Sequence, residues 1–478
     1  MRPHIAKILL FAFGLVLGAS FTPFIGQAYG SSPKKPNILL IVTDDQRPDT
    51  IHALGNNIIH TPNLDKLVQR GTVFQHAHSP NPLCVPSRAE ILTGTRGFTN
   101  GVLPPFSNKL NAKLTSLGEV LRRAGYETVY VGKWHTSGRP STHGYEKAVG
   151  LFSGGGGKYW KPKTDYKGMD VTGYRGWIFQ TDDRKLFPKK GVGLTPDISE
   201  EFADAAIGFL KTKSKKPFFM HVNFTAPHDP LYWPTGYEKK YDPKKMPLPK
   251  NFLGQHPFDH GNFKGRDEKM LPWPRTKEAV RRNLAVYYAV ISHLDEQLGR
   301  IVQALEESGE LDNTIIIFTS DHGLAVGSHG LMGKQNMYTH TVEVPLIFAG
   351  PGIPHKQERD ALVYLRDLYP TICDFAGAKI PNTVEAKSLV PIIEGKKKSI
   401  YERVYCHFSD SQRMVRDYKW KLIHYPKIGR YQLFDLVNDP LEMRDLSNMQ
   451  AHQPRMRQLK KQLQQWQKQV SDPLAGNS

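Results

Sequence analysis

Cysteine is scarce. Three occur in 478 residues: Cys84, Cys373 and Cys406. That excludes a fold held by a disulfide framework, and an odd number leaves at least one thiol unpaired in an oxidising compartment. Acidic side chains are few beside basic ones, 45 Asp and Glu against 64 Lys and Arg, for a net charge of +19. Such an excess favours polyanionic partners: sulfated glycans, nucleic acid or anionic surfaces. A solvated basic surface gives the same composition, and the lysine-rich runs at 211–216 and 396–398 read that way. After the first 30 residues no hydrophobic run is long enough to span a bilayer. Internal repeats and low-complexity tracts are also lacking, which excludes solenoids and fibrous folds.

What is present begins with an export signal. Arg2 and Lys7 precede an apolar run, and Ala28 and Gly30 are small residues two apart. This pattern predicts a signal peptide over residues 1–30, cleaved near Gly30, and a periplasmic or secreted protein. An uncleaved anchor is the other reading, but the run is short and broken, so no stable membrane insertion is expected. Export also makes nucleic acid a poor match for the basic charge, so none is expected as a partner.

Four β-branched runs end abruptly in polar residues. Residues 37–45 end in Asp44 and Asp45, and 127–135 contain Lys133 and His135. Residues 217–230 end near His228, and 313–323 end near Asp321 and His322. Continuous apolar runs suit strands covered on both faces. Helical spacing over 61–71, 113–126, 198–213 and 278–309 alternates with them. The prediction is an α/β fold with a large, mostly parallel mixed sheet flanked by helices. Beyond about residue 385, short strands and a basic amphipathic helix over 451–470 predict a smaller antiparallel sheet plus helix. The expected divisions are 1–30, a catalytic domain over 31–384 and a small α+β subdomain over 385–478. Residues 151–197 read as a long loop whose Trp160, Tyr174 and Trp177 could stack on sugars or simply pack the loop.

In parallel sheets, ligands bind beyond the carboxyl ends of the strands. All four polar clusters sit at such ends and should converge on one edge. Asp44, Asp45 and Asp321 then form a carboxylate cluster, which repels itself unless a cation lies among them. Oxygen ligands favour Ca²⁺ or Mg²⁺. Lys133, His135, His228 and Lys334 outline an anion pocket beside it, suited to sulfate or phosphate. Each residue alone also reads as a strand-ending acid, a surface lysine or a structural histidine.

Cys84 opens the stretch "CVPSRAEILTG", residues 84–94. It resembles the signature of the type I sulfatases of the alkaline phosphatase-like superfamily, C-x-P-S-R-x-x-x-x-T-G. Wider similarity covers most of residues 36–350, in places to iduronate-2-sulfatase-like and bacterial polysaccharide sulfatases. In that family a maturation enzyme converts the cysteine to formylglycine. The resemblance implies a metal held by Asp44, Asp45, Asp321, His322 and the modified Cys84. Many members carry Asn where His322 stands, and His is an unusual Ca²⁺ ligand, so both Ca²⁺ and Mg²⁺ stay open. It further implies that Arg88 steadies the aldehyde hydrate and that Lys133 and His135 contact it and the sulfate. His228 would stand near the leaving oxygen, and Lys334 would be a second sulfate-binding lysine. The implied activity is sulfate ester hydrolysis, begun by a hydroxyl of the hydrated aldehyde and completed when His135 helps regenerate the aldehyde.

The expected partners are a sulfated carbohydrate and a formylglycine-generating enzyme. Three alternatives stand beside this. One is a small-molecule aryl or choline sulfatase, and another is a phosphate or phosphonate monoester hydrolase. The third is a glycan-binding protein in which Cys84 is never converted.

Overall fold

The run Asn37–Thr43 is wholly buried and lies between Thr314–Ser320 and Phe218–Asn223, both parallel to it. Cover on both faces explains its unbroken apolar sequence. In this computed structural model, which describes residues 34–212 and 214–476, the sheet around it has ten strands. Their order is Glu343–Val344, Gly71–His78, Leu346–Ala349, Thr314–Ser320, Asn37–Thr43, Phe218–Asn223, Glu127–Lys133, Lys147–Ser153 and Ile178–Phe179, with Gln357–Tyr364 paired to Gly71–His78. Leu346–Ala349 runs antiparallel to both neighbours and Ile178–Phe179 antiparallel to its own; the central five strands are parallel. The mixed, mostly parallel sheet is the predicted one.

Alternation along the strands divides the core in two. Ile38, Leu40 and Val42 face Ala89, Ile91, Leu117 and Leu368. Leu39 and Ile41 face Phe202, Ala206, Leu294 and Leu298. The predicted helices appear at Pro62–Gln69, Leu117–Arg123, Ile198–Leu210 and Lys277–Glu307. The helix Cys84–Thr93 has no apolar stripe because Cys84 and every residue from Pro86 to Thr93 are buried.

Four antiparallel strands, Val404–Phe408, Gln412–Arg416, Trp420–Tyr425 and Arg430–Asp435, form the small sheet. The helix Gln453–Gln469 lays Met456, Leu459, Leu463 and Trp466 on Val415, Leu422 and Leu433. The described residues from Lys35 onward make one compact unit. Among the described residues no helix is long and apolar enough to cross a membrane. The expected signal peptide lies outside the described residues. Cys84, Cys373 and Cys406 are all free and buried, so Cys373 and Cys406 do not pair.

Candidate active site

The parallel strands deliver their polar ends to one edge. Asp44 and Asp45 follow Asn37–Thr43, Lys133 closes Glu127–Lys133, and Asp321 and His322 follow Thr314–Ser320. His228 lies five residues beyond Phe218–Asn223. Cys84 begins the helix that covers this edge, and Lys334 comes from the loop after His322. Asp45 adopts a left-handed φ of 69°, uncommon for a residue other than glycine. The turn is fixed from two sides: its N–H donates to Asp321 Oδ1 at 3.3 Å, and Tyr287 Oη donates to its carbonyl at 2.6 Å.

Cys84 Sγ sits among opposite charges. Asp44 Oδ1 and His322 Nε2 are each 3.4 Å away, Lys334 Nζ is 3.5 Å away, and the buried His135 is close enough for the charge at 84 to act on it. Burial pushes the thiol pKa up, but Lys133, Lys334 and His322 together hold it well below its ordinary value. The carboxylates are paired to cations. Lys133 bonds Asp44, Lys334 Nζ lies 2.9 and 3.1 Å from the two oxygens of Asp45, and Arg88 Nε donates to Asp321 Oδ2 at 2.9 Å. Arg88 also bonds Asn223, and Ser87 Oγ donates to the Asp321 carbonyl at 2.6 Å. Pro-Ser-Arg thus locks the start of the helix to the strand end that carries Asp321.

The charges differentiate the groups. Burial works against ionising Asp44, yet Lys133, His228 and Arg88 keep its carboxyl below the usual range. Burial dominates at Asp45 and Asp321, which rise, Asp321 to about 6 with Asp44 adding to the effect. Burial opposes charge on His228 and His322, but Asp45 on the first and Asp321 with Asp45 on the second lift each to about 9. His228 Nε2 points to Asp45 Oδ2 at 3.8 Å, while its Nδ1 meets the Asp229 carbonyl at 2.6 Å. Arg266 clamps Asp229 with two bonds of 2.6 and 2.8 Å.

At this edge, two groups of described residues could hold a cation with ligand atoms all within 4.8 Å of one another: Asp44, Cys84, Asp321 and His322, and Asp44, Asp45, Cys84 and His228. Buried carboxylates in such a set suit a divalent metal. All ten residues predicted for the site are thus brought together at one sheet edge.

Of the two readings of the loop over 151–197, packing describes Tyr174 and Trp177. Tyr174 is buried and donates to Asp44 Oδ2 at 2.5 Å; Trp177 packs edge-on against Tyr174 and His135, each at 4.8 Å. Both rings also meet Phe152; Tyr174 is buried, while Trp177 stays partly exposed. Asn223, Tyr174, Asp229 and Arg266 belong to the site's surroundings without a motif to announce them. Beside His228 opens a cavity of about 380 Å³, whose walls include Asp229, Leu231, Arg266, Lys269, Met270 and Leu324.

Known proteins resemble this chain over most of its length. The family model described as Sulfatase matches residues 36–378, and that of the N-sulphoglucosamine sulphohydrolase C-terminal region matches 327–469. An arylsulfatase of Clostridium perfringens is 31% identical, over 89% of this chain and 93% of its own. An N-acetylglucosamine-6-O-sulfatase of Bacteroides thetaiotaomicron is 28% identical, over 92% and 87%. A solved protein in complex with its substrate D-glucosamine-2-N,6-O-disulfate aligns with TM-score 0.75 and 26% identity, over 92% of this chain and 99% of that one. With Cys84 at the head of its signature helix and the carboxylate cluster beneath it, this chain belongs to the sulfatase family and is a sulfuric ester hydrolase.

Proposed function

We propose that the protein is exported and removes sulfate from sulfated carbohydrate, using a formylglycine made from Cys84 by a maturation enzyme and a bound divalent cation. The observation that carries this is the position of Cys84 Sγ, within 3.5 Å of a carboxylate, an imidazole and an ammonium group. Asp44, Asp45, Asp321 and His322, with residue 84, would hold the ion. Ca²⁺ suits the carboxylates best, and the His322 nitrogen keeps Mg²⁺ as a second arm of any test. When bound, the ion supplies positive charge to the sulfate oxygens and to the attacking oxygen. The formylglycine supplies that oxygen as a hydroxyl of its hydrate.

The remaining roles fall to this chain's own side chains. Lys133, Lys334 and Arg88 offset the negative charge around the transferred group. His228, whose Nε2 lies 3.8 Å from Asp45 Oδ2, gives its proton to the departing alcohol. His135, which burial keeps below the ordinary imidazole pKa and so neutral, takes a proton from the side chain at 84. The alcohol portion would enter the cavity beside His228, whose volume of about 380 Å³ is that of a small-ligand pocket. Its mixture of Leu231, Met270 and Leu324 with Arg266 and Lys269 supports a sugar bearing further anionic groups. The relatives named for N-acetylglucosamine-6-O-sulfate and glucosamine disulfate make sulfated amino sugars the first class to test.

The test is sulfate release by ion chromatography from glycosaminoglycan, fucoidan and carrageenan oligosaccharides, with aryl sulfate, choline sulfate and aryl phosphate alongside. Release from one glycan class at a kcat/KM well above that for aryl phosphate is expected. Preference for aryl phosphate would replace this reading with a phosphoester hydrolase, and preference for aryl or choline sulfate with a small-molecule sulfatase.

A further inference from the structure

Tyr174 holds a φ of 54° and is 8% exposed. A left-handed tyrosine is strained and persists only where its surroundings over-determine it. Here they do so from four sides. Its hydroxyl donates to Asp44 Oδ2. Its ring meets the rings of His228 and Trp177 edge-on, each at 4.8 Å. Lys133 Nζ lies 5.2 Å from the ring centre. Gly173, the residue before it, runs so close to the Asp229–Arg266 pair that a β-carbon would lie 2.9 Å from both side chains. The loop is therefore wedged into the site by its backbone as well as its ring.

The effect falls on Asp44. Its Oδ2 accepts from Tyr174 and Lys133, while its Oδ1 is turned to Cys84 Sγ at 3.4 Å and Arg88 Nη2 at 3.8 Å. A lysine ammonium is a point charge on a flexible stem and does not fix the plane of a carboxylate. A second donor of fixed direction does.

We propose that Tyr174 is a positioning residue for the metal centre: its hydroxyl anchors one oxygen of Asp44 so that the other is presented to the cation. This rests on the metal reading given above. Hydrogen-bond partners of a ligating side chain typically change metal affinity or activity 10–100-fold when removed. The role also gives the long loop a function at the metal.

The experiment uses the full chain, stripped of metal with a chelator, and titrates Ca²⁺ and Mg²⁺ by calorimetry into the parent and Tyr174→Phe. Phenylalanine keeps the ring contacts and removes only the hydroxyl. The dissociation constant of the ion that the parent binds is expected to rise about tenfold or more, while the melting temperature in chelator stays close to the parent's. Equal affinity in the two proteins would overturn the proposal, including the case in which both melting temperatures in chelator differ, since Tyr174 would then only pack. A parent that binds neither ion would overturn the metal reading and the positioning role together.

Discussion

Arg88 uses its whole fork. Nε and Nη2 each lie 2.9 Å from Asp321 Oδ2, and Nη1 bonds Asn223. A lysine would keep the charge and lose the geometry. Arg88→Lys is expected to lower kcat by about 100-fold or more, the scale for removing one preorganised charge-stabilising donor. Steady-state kinetics on an aryl sulfate check this; a change within a few-fold would show that charge alone suffices. Arg88→Ala leaves Asp321 buried without its partner. It should destabilise the metal-free protein by about 3–5 kcal/mol, read from denaturant unfolding. Asp44, Asp45, Lys133, Asp321 and His322 were legible because each stands at or just beyond the end of an unbroken apolar strand. Tyr174 was not. Its direction depends on a left-handed backbone in an irregular loop, and no periodicity reports that.

The helix Cys84–Thr93 shows the same limit for an element. Amphipathic helices such as Lys277–Glu307 announce themselves by a stripe, but a helix buried on nearly all sides has none. What the sequence does carry is its end. Gly94 caps the helix at φ 65°, its N–H donating to the Glu90 carbonyl at 2.8 Å. A β-carbon there would lie 3.0 Å from Tyr369 and Val384. Gly94→Ala therefore combines a left-handed backbone with crowding. A loss of about 1 kcal/mol or more is expected in denaturant unfolding. Unchanged stability would show that the helix end relaxes freely. The terminal helix Gln453–Gln469 was legible as amphipathic, and its apolar stripe is used against the small sheet rather than a lipid surface.

Across the whole molecule, buried histidines set the response to acid. Burial is the largest cause pressing His256 down to about 3 and His260 and His329 to about 4, against about 6.5 for a free imidazole. Below about pH 6.5 the unfolded chain binds protons that the folded chain refuses. Their stabilising contribution is therefore full above that pH and is lost as pH falls toward 4. The melting temperature should drop between pH 7 and pH 5; a flat profile would contradict these burials. The net charge of +19 predicts in addition that KM for a polyanionic glycan rises with salt more steeply than KM for an aryl sulfate. Equal salt dependence would locate recognition in the pocket alone.

The central claim is that residue 84 carries sulfate ester hydrolysis. The most direct measurement compares protein made with and without a formylglycine-generating enzyme, and Cys84→Ala, for aldehyde at position 84 by peptide mass and for sulfate released. Turnover in proportion to aldehyde content, and none in Cys84→Ala, is the predicted result. Full sulfate release by Cys84→Ala would contradict it.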